Sequence, residues 1–287
     1  ASLTITLNAL VNQGDEIIVI APFFPEYRVF AEKAGAEVKV VKSREEDFQI
    51  DFTALEKAVT NKTKAIIVNS PNNPSGAVLN RKTIEDLSVL LNKKSEEFGN
   101  DIYIIADEPY RELVYAGVEV PYIPNFYDNT IVCYSFSKSL SLPGERIGYV
   151  FVSPKVANAN KVYAAVCGAG RALGFVCAPS MLQYTVAECL GLTADIAIYE
   201  KNRNILYNAL TEYGYSAARP DGAFYLFVKS PEADANAFCE RAKKYEILIV
   251  PGDDFGFEGY VRISYCVSTE MIERSLDGFK KLIEEYR

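Results

Sequence analysis

The sequence predicts an α/β protein with a mainly parallel sheet, and three observations support this fold class. Its 287 residues are enough for roughly two domains or one large α/β unit. Helical patterns alternate with short, continuous apolar strands through the first half of the chain, as they do in α/β folds. Strands that are apolar throughout are typical of a parallel sheet that helices cover on both faces. We therefore predict three layers.

The elements of the first half follow from the spacing of apolar residues. Helices are predicted where apolar side chains recur every three or four residues, and strands where short apolar runs end at Gly, Pro or Asn. In chain order, the predicted helices span residues 3–11, 27–35, 51–59 and 80–97, and the predicted strands span residues 16–20, 37–41, 64–69, 102–106, 130–136 and 148–153.

The pattern changes after Pro154, where long helical stretches replace the alternation. From Tyr215 onward, strands and helices alternate again in a shorter α+β pattern. The predicted helices here are 155–166, 179–190, 193–213, 234–244 and 269–286, and the predicted strands are 224–228, 247–250 and 260–264. We predict a large α/β domain over residues 1–192, followed by a hinge helix and a small C-terminal α+β domain over residues 193–287.

Composition and charge exclude several classes of partner and chemistry. Thirty Lys and Arg against 38 Asp and Glu give a net charge of −8, so we predict binding to neither nucleic acid nor membrane surfaces. No apolar window reaches the roughly 20 residues of a membrane helix. The six cysteines form no CxxC pair, which favours a reducing cytoplasm. The chain has no histidine, which excludes His-dependent zinc sites and Ser-His-Asp triads. We predict no metal site.

The segment Ser135-Phe-Ser-Lys138 is the strongest single candidate for chemistry. It follows an apolar strand directly, and Arg146 comes eight residues later. Partial burial lowers the pKa of an ammonium group, so such a lysine can act as a neutral nucleophile toward an aldehyde. Hydroxyls and a guanidinium nearby would suit a phosphate group on that aldehyde. The alternative is a surface lysine in a serine-rich turn.

Two further strand ends carry polar groups. Asp107 ends the strand IYIIA and is followed by Glu108-Pro-Tyr110. A buried carboxylate can keep a pyridine nitrogen protonated, whereas an isolated Asp at a strand end more often caps a turn. Asn73 lies in the loop SPNNPSG after another strand, where Pro and Gly would fix its side chain. A plain tight loop is the alternative.

Together these motifs resemble a known family. The chain looks like a fold-type I pyridoxal-phosphate (PLP) enzyme of the class I and II aminotransferase group and is similar to aspartate aminotransferases. The match runs over essentially the whole chain. In chain order it is carried by NQGDEIIVIAPFFPEY, SPNNPSG, IIADEPY, SFSKSLSLPGERIGY, PDGAFYLF and YVRIS.

The resemblance implies a site for pyridoxal 5'-phosphate and assigns roles to individual residues. Lys138 matches the lysine that forms the Schiff base with the cofactor and then shuttles a proton. Asp107 matches the carboxylate on the pyridine nitrogen, and Asn73 and Tyr110 match the groups that bind the ring oxygen. The remaining cofactor ligands implied by the resemblance are Ser135 and Arg146 for the phosphate and Phe24 for stacking on the ring. An ordinary core phenylalanine is the alternative for Phe24.

The resemblance also implies substrate ligands. Arg262, in the sequence VRIS, resembles the arginine that binds the substrate α-carboxylate through a bidentate pair, and Asn73 is implied as a further substrate ligand. The alternative for Arg262 is an edge-strand arginine without a ligand. Arg171 loosely resembles a second arginine that reads a side-chain carboxylate from the neighbouring subunit, and a helix-end charge or a neighbour of the phosphate is its alternative. On this basis the expected donors are aspartate and glutamate.

Two departures from the family pattern bear on the cofactor. The family's buried histidine behind the aspartate is replaced by Tyr27. The small-residue loop that gives backbone N–H groups to the cofactor phosphate would precede Ala1, and only Ser135 and Arg146 remain from that set. We therefore expect a truncated product or the ordered part of a longer chain, which holds PLP poorly and is largely inactive because charge-assisted hydrogen bonds are lost.

The functional prediction is a PLP-dependent aminotransferase of the EC 2.6.1 class. It would move an amino group between an amino acid and a 2-oxo acid in two half-reactions, as a cytoplasmic homodimer. One alternative is a PLP-dependent β-lyase or another α-carbon enzyme, because the same fold supports several reactions. Another is a non-catalytic ligand-sensing domain, although no basic patch or DNA-binding extension accompanies it.

Overall fold

A computed structural model describes all 287 residues. Six strands form the larger sheet in the order β2-β1-β3-β4-β5-β6. The first five are parallel and β6 is antiparallel to β5. The strands are β1 (Glu16–Ala21), β2 (Glu37–Lys42), β3 (Thr63–Asn69), β4 (Tyr103–Asp107), β5 (Thr130–Ser135) and β6 (Gly148–Val152). The α/β fold class and the mainly parallel sheet are confirmed.

Helices cover both faces of this sheet. Those in the first 192 residues are α1 (Ser2–Leu10), α2 (Glu26–Lys33), α3 (Phe52–Ala58), α4 (Arg81–Phe98), the single turn α5 (Phe136–Ser139), α6 (Ala159–Ala172) and α7 (Ser180–Glu188). Ile17 and Val19 of β1 share an apolar cluster with Leu7 of α1. Ile18, between them, instead joins a cluster with Leu87 of α4. The alternation of side chains along a strand therefore feeds one apolar core on each face.

Polar residues fix the starts of the helices. Asp51 accepts hydrogen bonds from the N–H groups of Thr53 and Ala54 at the start of α3, and Asn80 accepts one from Thr83 at the start of α4. These side chains satisfy N–H groups that have no partner inside the helix. At the end of α4, Gly99 adopts the left-handed conformation with φ 67°, as expected for a glycine at that position.

A second sheet follows in the last third of the chain, with the antiparallel order β7-β8-β10-β9. Its strands are β7 (Ser216–Ala217), β8 (Tyr225–Lys229), β9 (Val250–Pro251) and β10 (Tyr260–Ser264), and its helices are α8 (Ile196–Glu212), α9 (Ala235–Ala242) and α10 (Thr269–Glu284). Apolar residues of β8 and all three helices, among them Leu206 and Phe279, form a third cluster.

The domain boundary that we place after residue 192 stays a prediction. Two apolar clusters contain residues from both sides of it, so packing does not separate the two parts of the chain. Phe227 and Tyr260 of the second sheet belong to the cluster around β1, and Tyr110 belongs to the cluster around β8. The two sheets therefore share packed surfaces.

No helix is both long enough and apolar enough to cross a membrane.

Two predicted elements are wrong in their limits. The helix predicted over residues 155–166 is α6, which starts four residues later at Ala159 and runs on to Ala172. The delay arises because Asn158 has φ 56° and the N–H of Ala157 is held by Asn129 Oδ1 at 2.8 Å. The strand predicted over residues 247–250 pairs with β10 only at Val250 and Pro251, since Glu246 has φ 59° and turns the chain just before it.

We predict that Gly148→Ala destabilises the sheet edge next to α5. A Cβ atom at Gly148 would lie 2.2 Å from the carbonyl oxygen of Tyr134, a backbone atom that cannot rotate away. Overpacking of this kind typically costs about 1–3 kcal/mol. Urea denaturation measures the loss.

Gly144→Ala is the matched control for this prediction. A Cβ atom at Gly144 meets nothing within 4 Å, so its effect should stay within about 0.5 kcal/mol. Equal stability of the two variants would contradict the close approach of β6 to β5.

Candidate active site

Polar groups converge where β3, β4 and β5 end. Asn69, Asp107 and Cys133 pair across these three parallel strands, and the Asn69 amide donates to the Asp107 carbonyl at 2.9 Å. Parallel strands end at the same edge of a sheet, where α/β folds place their ligand sites. The loops that follow carry Asn73 and Lys138 to this edge.

Asp107 is held by one side chain from the opposite direction. The Tyr27 hydroxyl donates to Asp107 Oδ2 at 2.5 Å, and Tyr27 is only 1% exposed. Burial raises the pKa of Asp107 to about 6, and the Tyr27 hydrogen bond opposes that rise. No protein group donates to the other oxygen, Oδ1. The carboxylate is thus poised to accept a further donor.

Lys138 lies on the single turn of α5. Ser135 caps this turn by accepting a hydrogen bond from the Ser137 N–H, which directs the chain out of β5 toward the site. The Lys138 amino group lies 6.0 Å from the centre of the Tyr110 ring and 5.5 Å from that of Phe224. Burial lowers the pKa of Lys138, and the positive charges of Arg146 and Arg262 act in the same direction.

Arg262 reaches the site from the second sheet. Its Nη1 donates to Asn73 Oδ1 at 3.0 Å, and the Asn73 N–H is itself held by Asn69 Oδ1 at 2.8 Å. The guanidinium carbon lies 4.7 Å and 4.8 Å from the ring centres of Tyr225 and Phe255. Its Nε is buried and has no hydrogen-bond partner. An unpaired buried donor on a positive charge favours binding of an anion.

Tyr110 also contacts the second sheet. Its hydroxyl lies 3.1 Å from that of Tyr225, and both side chains are buried. Burial raises the pKa of Tyr110 well above its usual value. Tyr110 therefore remains a neutral phenol at physiological pH and can donate a hydrogen bond.

The predicted phosphate ligands are less enclosed. Arg146 is exposed, and its Nη1 donates to the Pro143 carbonyl at 2.6 Å. Ser2 and Thr6 of α1 both lie within reach of the Cys133 thiol, and Thr6 Oγ1 is 3.4 Å from its sulfur. Because Cys133 pairs with Asp107, the start of α1 lies at this edge of the sheet. The N–H groups of a first helical turn attract anions. A guanidinium and a helix start thus face the same edge of the sheet.

Two predicted residues make no hydrogen bond within this cluster. Phe24 is half-buried and meets the Tyr27 ring edge-on at 5.6 Å between ring centres, which puts it next to the Asp107 partner. Arg171 is exposed on the last turn of α6 and contacts none of the other predicted residues. Its predicted role needs a second subunit.

The sequence patterns did not indicate that Tyr225 joins this cluster. It lies in the segment PDGAFYLF, but its contacts depend on the pairing of β8 with β10. Arg262 pairs with Phe227 and Ser264 pairs with Tyr225, so Arg262 and Tyr225 are diagonal neighbours on one face. The alternation of YLFVK and YVRIS could have placed each residue on a face, but not the register between the strands.

Comparisons with known proteins show the family to which the chain belongs. Residues 1–279 match the family described as aminotransferase class I and II. An aromatic-amino-acid aminotransferase of Thermococcus litoralis is 31% identical, and the match covers 97% of this chain and 72% of the relative. An aspartate aminotransferase of Thermotoga maritima is 33% identical, with 96% and 71% covered.

Solved structures show the same similarity. An aminotransferase from Eubacterium rectale is 56% identical and superposes with a TM-score of 0.98 over 100% of this chain and 72% of its own. The Thermotoga maritima aspartate aminotransferase is 31% identical in its crystal structure and superposes with a TM-score of 0.88, over 99% of this chain and 73% of its own. The resemblance predicted from the motifs is confirmed.

We predict that Asp107→Asn changes how stability depends on pH. The folded protein holds the Asp107 proton more tightly than the unfolded chain, so this group stabilises the fold at low pH, and that stability is lost as the pH rises through about 6. A rise in pKa from 3.8 to about 6 corresponds to on the order of 3 kcal/mol.

Urea denaturation of the cofactor-free protein from pH 4 to pH 7 measures this effect. The wild type should lose that free energy relative to Asp107→Asn as the pH rises. Asp101→Asn, at an exposed position, is the control and should follow the wild type. Parallel curves for wild type and Asp107→Asn would show that the carboxylate is well solvated in the folded state.

Proposed function

The chain belongs to the class I and II aminotransferases, a PLP-dependent family, and from this premise we propose that its site binds pyridoxal 5'-phosphate at Lys138. As an aminotransferase it moves amino groups between amino acids and 2-oxo acids. One observation carries the assignment of the site. The partly buried Lys138 amine and Asp107 carboxylate lie at adjacent strand ends, and the Tyr110 phenol is close to both.

The donor set fits this cofactor. A pyridine nitrogen that carries a proton would give Asp107 the second hydrogen-bond donor that it lacks in the protein. That donor would also hold Asp107 ionised in spite of its burial. Tyr110, a neutral phenol, and Asn73 can donate to the ring oxygen. Arg146 and the start of α1 supply positive charge for the phosphate.

The remaining predicted cofactor ligands keep their proposed roles. Ser135 would contribute its hydroxyl to the phosphate, although in the structure this group already donates to Ser137 Oγ at 2.7 Å. Phe24 would stack on the ring, and its position beside Tyr27 supports this. When bound, the cofactor withdraws electrons from the substrate α-carbon. All other steps fall to the chain's own residues.

Lys138 is proposed to move the proton at the substrate α-carbon. Its lowered pKa increases the fraction of neutral amine, which is the form that can accept a proton. Tyr110 and Phe224 pack against the amine and limit the positions that it can reach. Asp107 is held in place during this step by the hydrogen bond from Tyr27, whose side chain is buried. A ping-pong sequence of two half-reactions would use the same groups in both directions.

The substrate α-carboxylate is proposed to bind Arg262. Its buried Nε has no partner in the protein, while Asn73 holds Nη1, so one side of the guanidinium remains for a bidentate carboxylate. For the side chain we propose acidic donors, aspartate and glutamate, with Arg171 contributed by a second subunit. Relatives that are named as aspartate aminotransferases support this choice, whereas one named for aromatic amino acids marks the competing preference.

A homodimer is proposed as the working form. Helices α6 and α7 and the segment between them expose large apolar side chains, including Tyr163, Phe175, Val176, Met181 and Tyr184. Several large exposed apolar side chains on neighbouring segments are typical of a protein interface, and the exposed Arg171 lies on α6 among these segments. The six cysteines are free, which supports the proposed cytoplasmic location.

We predict that Lys138 is the residue that PLP modifies. Borohydride reduction of the protein with excess PLP, followed by peptide mapping, should place the pyridoxyl label in the segment SFSKSLSLPGER. Lys138→Arg keeps the charge but should lose both the label and amino-group transfer. A label on any other lysine in the wild type would overturn the assignment.

We predict that substitutions of Arg262 and Arg171 change KM for different sets of amino donors, tested with 2-oxoglutarate as the acceptor. Arg262→Lys keeps the charge but loses the bidentate fork, so KM should rise for every donor together, by roughly 10- to 100-fold. Arg171→Ala should raise KM for aspartate and glutamate only.

A selective effect of Arg262→Lys on one donor would make Arg262 a side-chain reader. An unchanged donor preference in Arg171→Ala would remove Arg171 from the substrate site. Aromatic donors included in the panel then report the competing preference directly.

A further inference from the structure

We propose that Tyr225 is a positioning residue that couples Arg262, the carboxylate-binding arginine, to Tyr110, the phenol that faces the cofactor. This inference rests on the proposed function. Tyr225 contacts both residues with different parts of one side chain. Its ring lies against the Arg262 guanidinium at 4.7 Å, and its hydroxyl lies 3.1 Å from that of Tyr110.

Only one direction of the hydrogen bond between the Tyr110 and Tyr225 hydroxyls is compatible with a hydrogen bond from Tyr110 to the cofactor. Either hydroxyl can donate in the cofactor-free protein. When Tyr110 donates its single proton to the ring oxygen, its own oxygen can only accept, so the donor must be Tyr225. A donor that itself accepts a hydrogen bond is a stronger donor. Tyr225 thereby strengthens the hydrogen bond that Tyr110 makes to the cofactor.

The ring of Tyr225 transmits the charge of Arg262. Burial raises the pKa of the Tyr225 hydroxyl, whereas the hydrogen bond with Tyr110 and the positive charge of Arg262 lower it. A carboxylate on Arg262 neutralises much of that charge and makes Tyr225 a weaker donor to Tyr110. Binding of a substrate carboxylate therefore weakens the hydrogen bond to the cofactor ring oxygen. The effect passes through the side chains of Tyr225 and Tyr110 and needs no movement of the backbone.

Two neighbours offer matched controls. Phe255 also packs against the guanidinium, with its ring centre 4.8 Å from the guanidinium carbon, but has no hydroxyl. Tyr265 forms a second buried hydroxyl pair, with Tyr115 at 2.8 Å, and Arg203 lies 4.1 Å from the Tyr115 ring centre. This second set has the same composition of two tyrosines and one arginine but lacks Lys138 and Arg262. Phe255 isolates the contact with the guanidinium, and Tyr265 isolates the general effect of a lost buried hydroxyl.

The experiment follows the absorbance of PLP bound to the protein. At saturating PLP, we record this absorbance against pH and take the pH at the midpoint of the change. The titration is done with and without succinate, which serves as a carboxylate probe. The proteins compared are the wild type, Tyr225→Phe, Phe255→Leu and Tyr265→Phe. Succinate affinity is taken from the same spectra. Both Tyr→Phe changes retain the ring, and urea denaturation checks that each variant is folded.

Tyr225→Phe should raise the midpoint by about 0.1–0.6 pH units, because the hydrogen bond that stabilises the charged ring oxygen becomes weaker. The further rise caused by succinate should be smaller than in the wild type, since the relay is broken. Phe255→Leu should weaken succinate binding by about 2- to 30-fold and leave the succinate-free midpoint in place. Tyr265→Phe should change neither quantity.

An unchanged midpoint in Tyr225→Phe, or an equal shift in Tyr265→Phe, would overturn the coupling while leaving the proposed function intact. Absence of a bound-cofactor band in the wild type, together with no borohydride label on Lys138, would overturn the proposed function itself. The two failures are therefore distinguishable in one set of spectra.

Discussion

The parallel register of β3, β4 and β5 is the constraint on which the site depends. It aligns Asn69, Asp107 and Cys133 in one row, so the residues that follow each strand emerge side by side. Helices cover both faces of the sheet, and its interior therefore accepts only apolar side chains along most of each strand. Polar chemistry is confined to the strand ends, where the loops with Asn73 and the turn with Lys138 begin.

This edge holds polar groups that the protein leaves incompletely paired. Asp107 has a single side-chain donor, Tyr27, and the buried Nε of Arg262 has none. Unsatisfied buried groups destabilise a fold by about 1–3 kcal/mol each. Their concentration at one edge is typical of a binding site, where the ligand supplies the missing partners. The same groups that bind the cofactor and the carboxylate thus lower the stability of the ligand-free protein.

Contacts between the two sheets complete the site. Arg262 reaches Asn73, and Tyr225 reaches Tyr110, in each case from the second sheet to a loop of the first. Close backbone packing supports these contacts, because the Gly222 N–H donates to the Gly76 carbonyl at 2.9 Å. A Cβ atom at Gly222 would meet the Leu113 carbonyl oxygen at 2.7 Å. Small changes in how the sheets pack would move the carboxylate-binding group relative to the cofactor site.

The sequence by itself determined most of the local structure. Apolar spacing located the strands and most of the helices, and motif order pointed to Lys138 and Asp107. These features depend on residues close together in the chain, so patterns within a short window reveal them. The two errors in element limits arose where positive φ at Asn158 and Glu246 turned the chain. This conformation is uncommon for Glu, and Asn adopts it more often but not regularly enough for the sequence to fix it.

Only the tertiary structure decided which side chains meet. Tyr110 and Tyr225 lie 115 positions apart, and Asn73 and Arg262 lie 189 apart. Their contacts depend on the register of β8 against β10 and on the packing of one sheet against the other. No local pattern encodes either quantity, because a shift of one residue in a strand exchanges its two faces. The chemistry of the individual residues was therefore readable in the sequence, whereas their coupling required the fold.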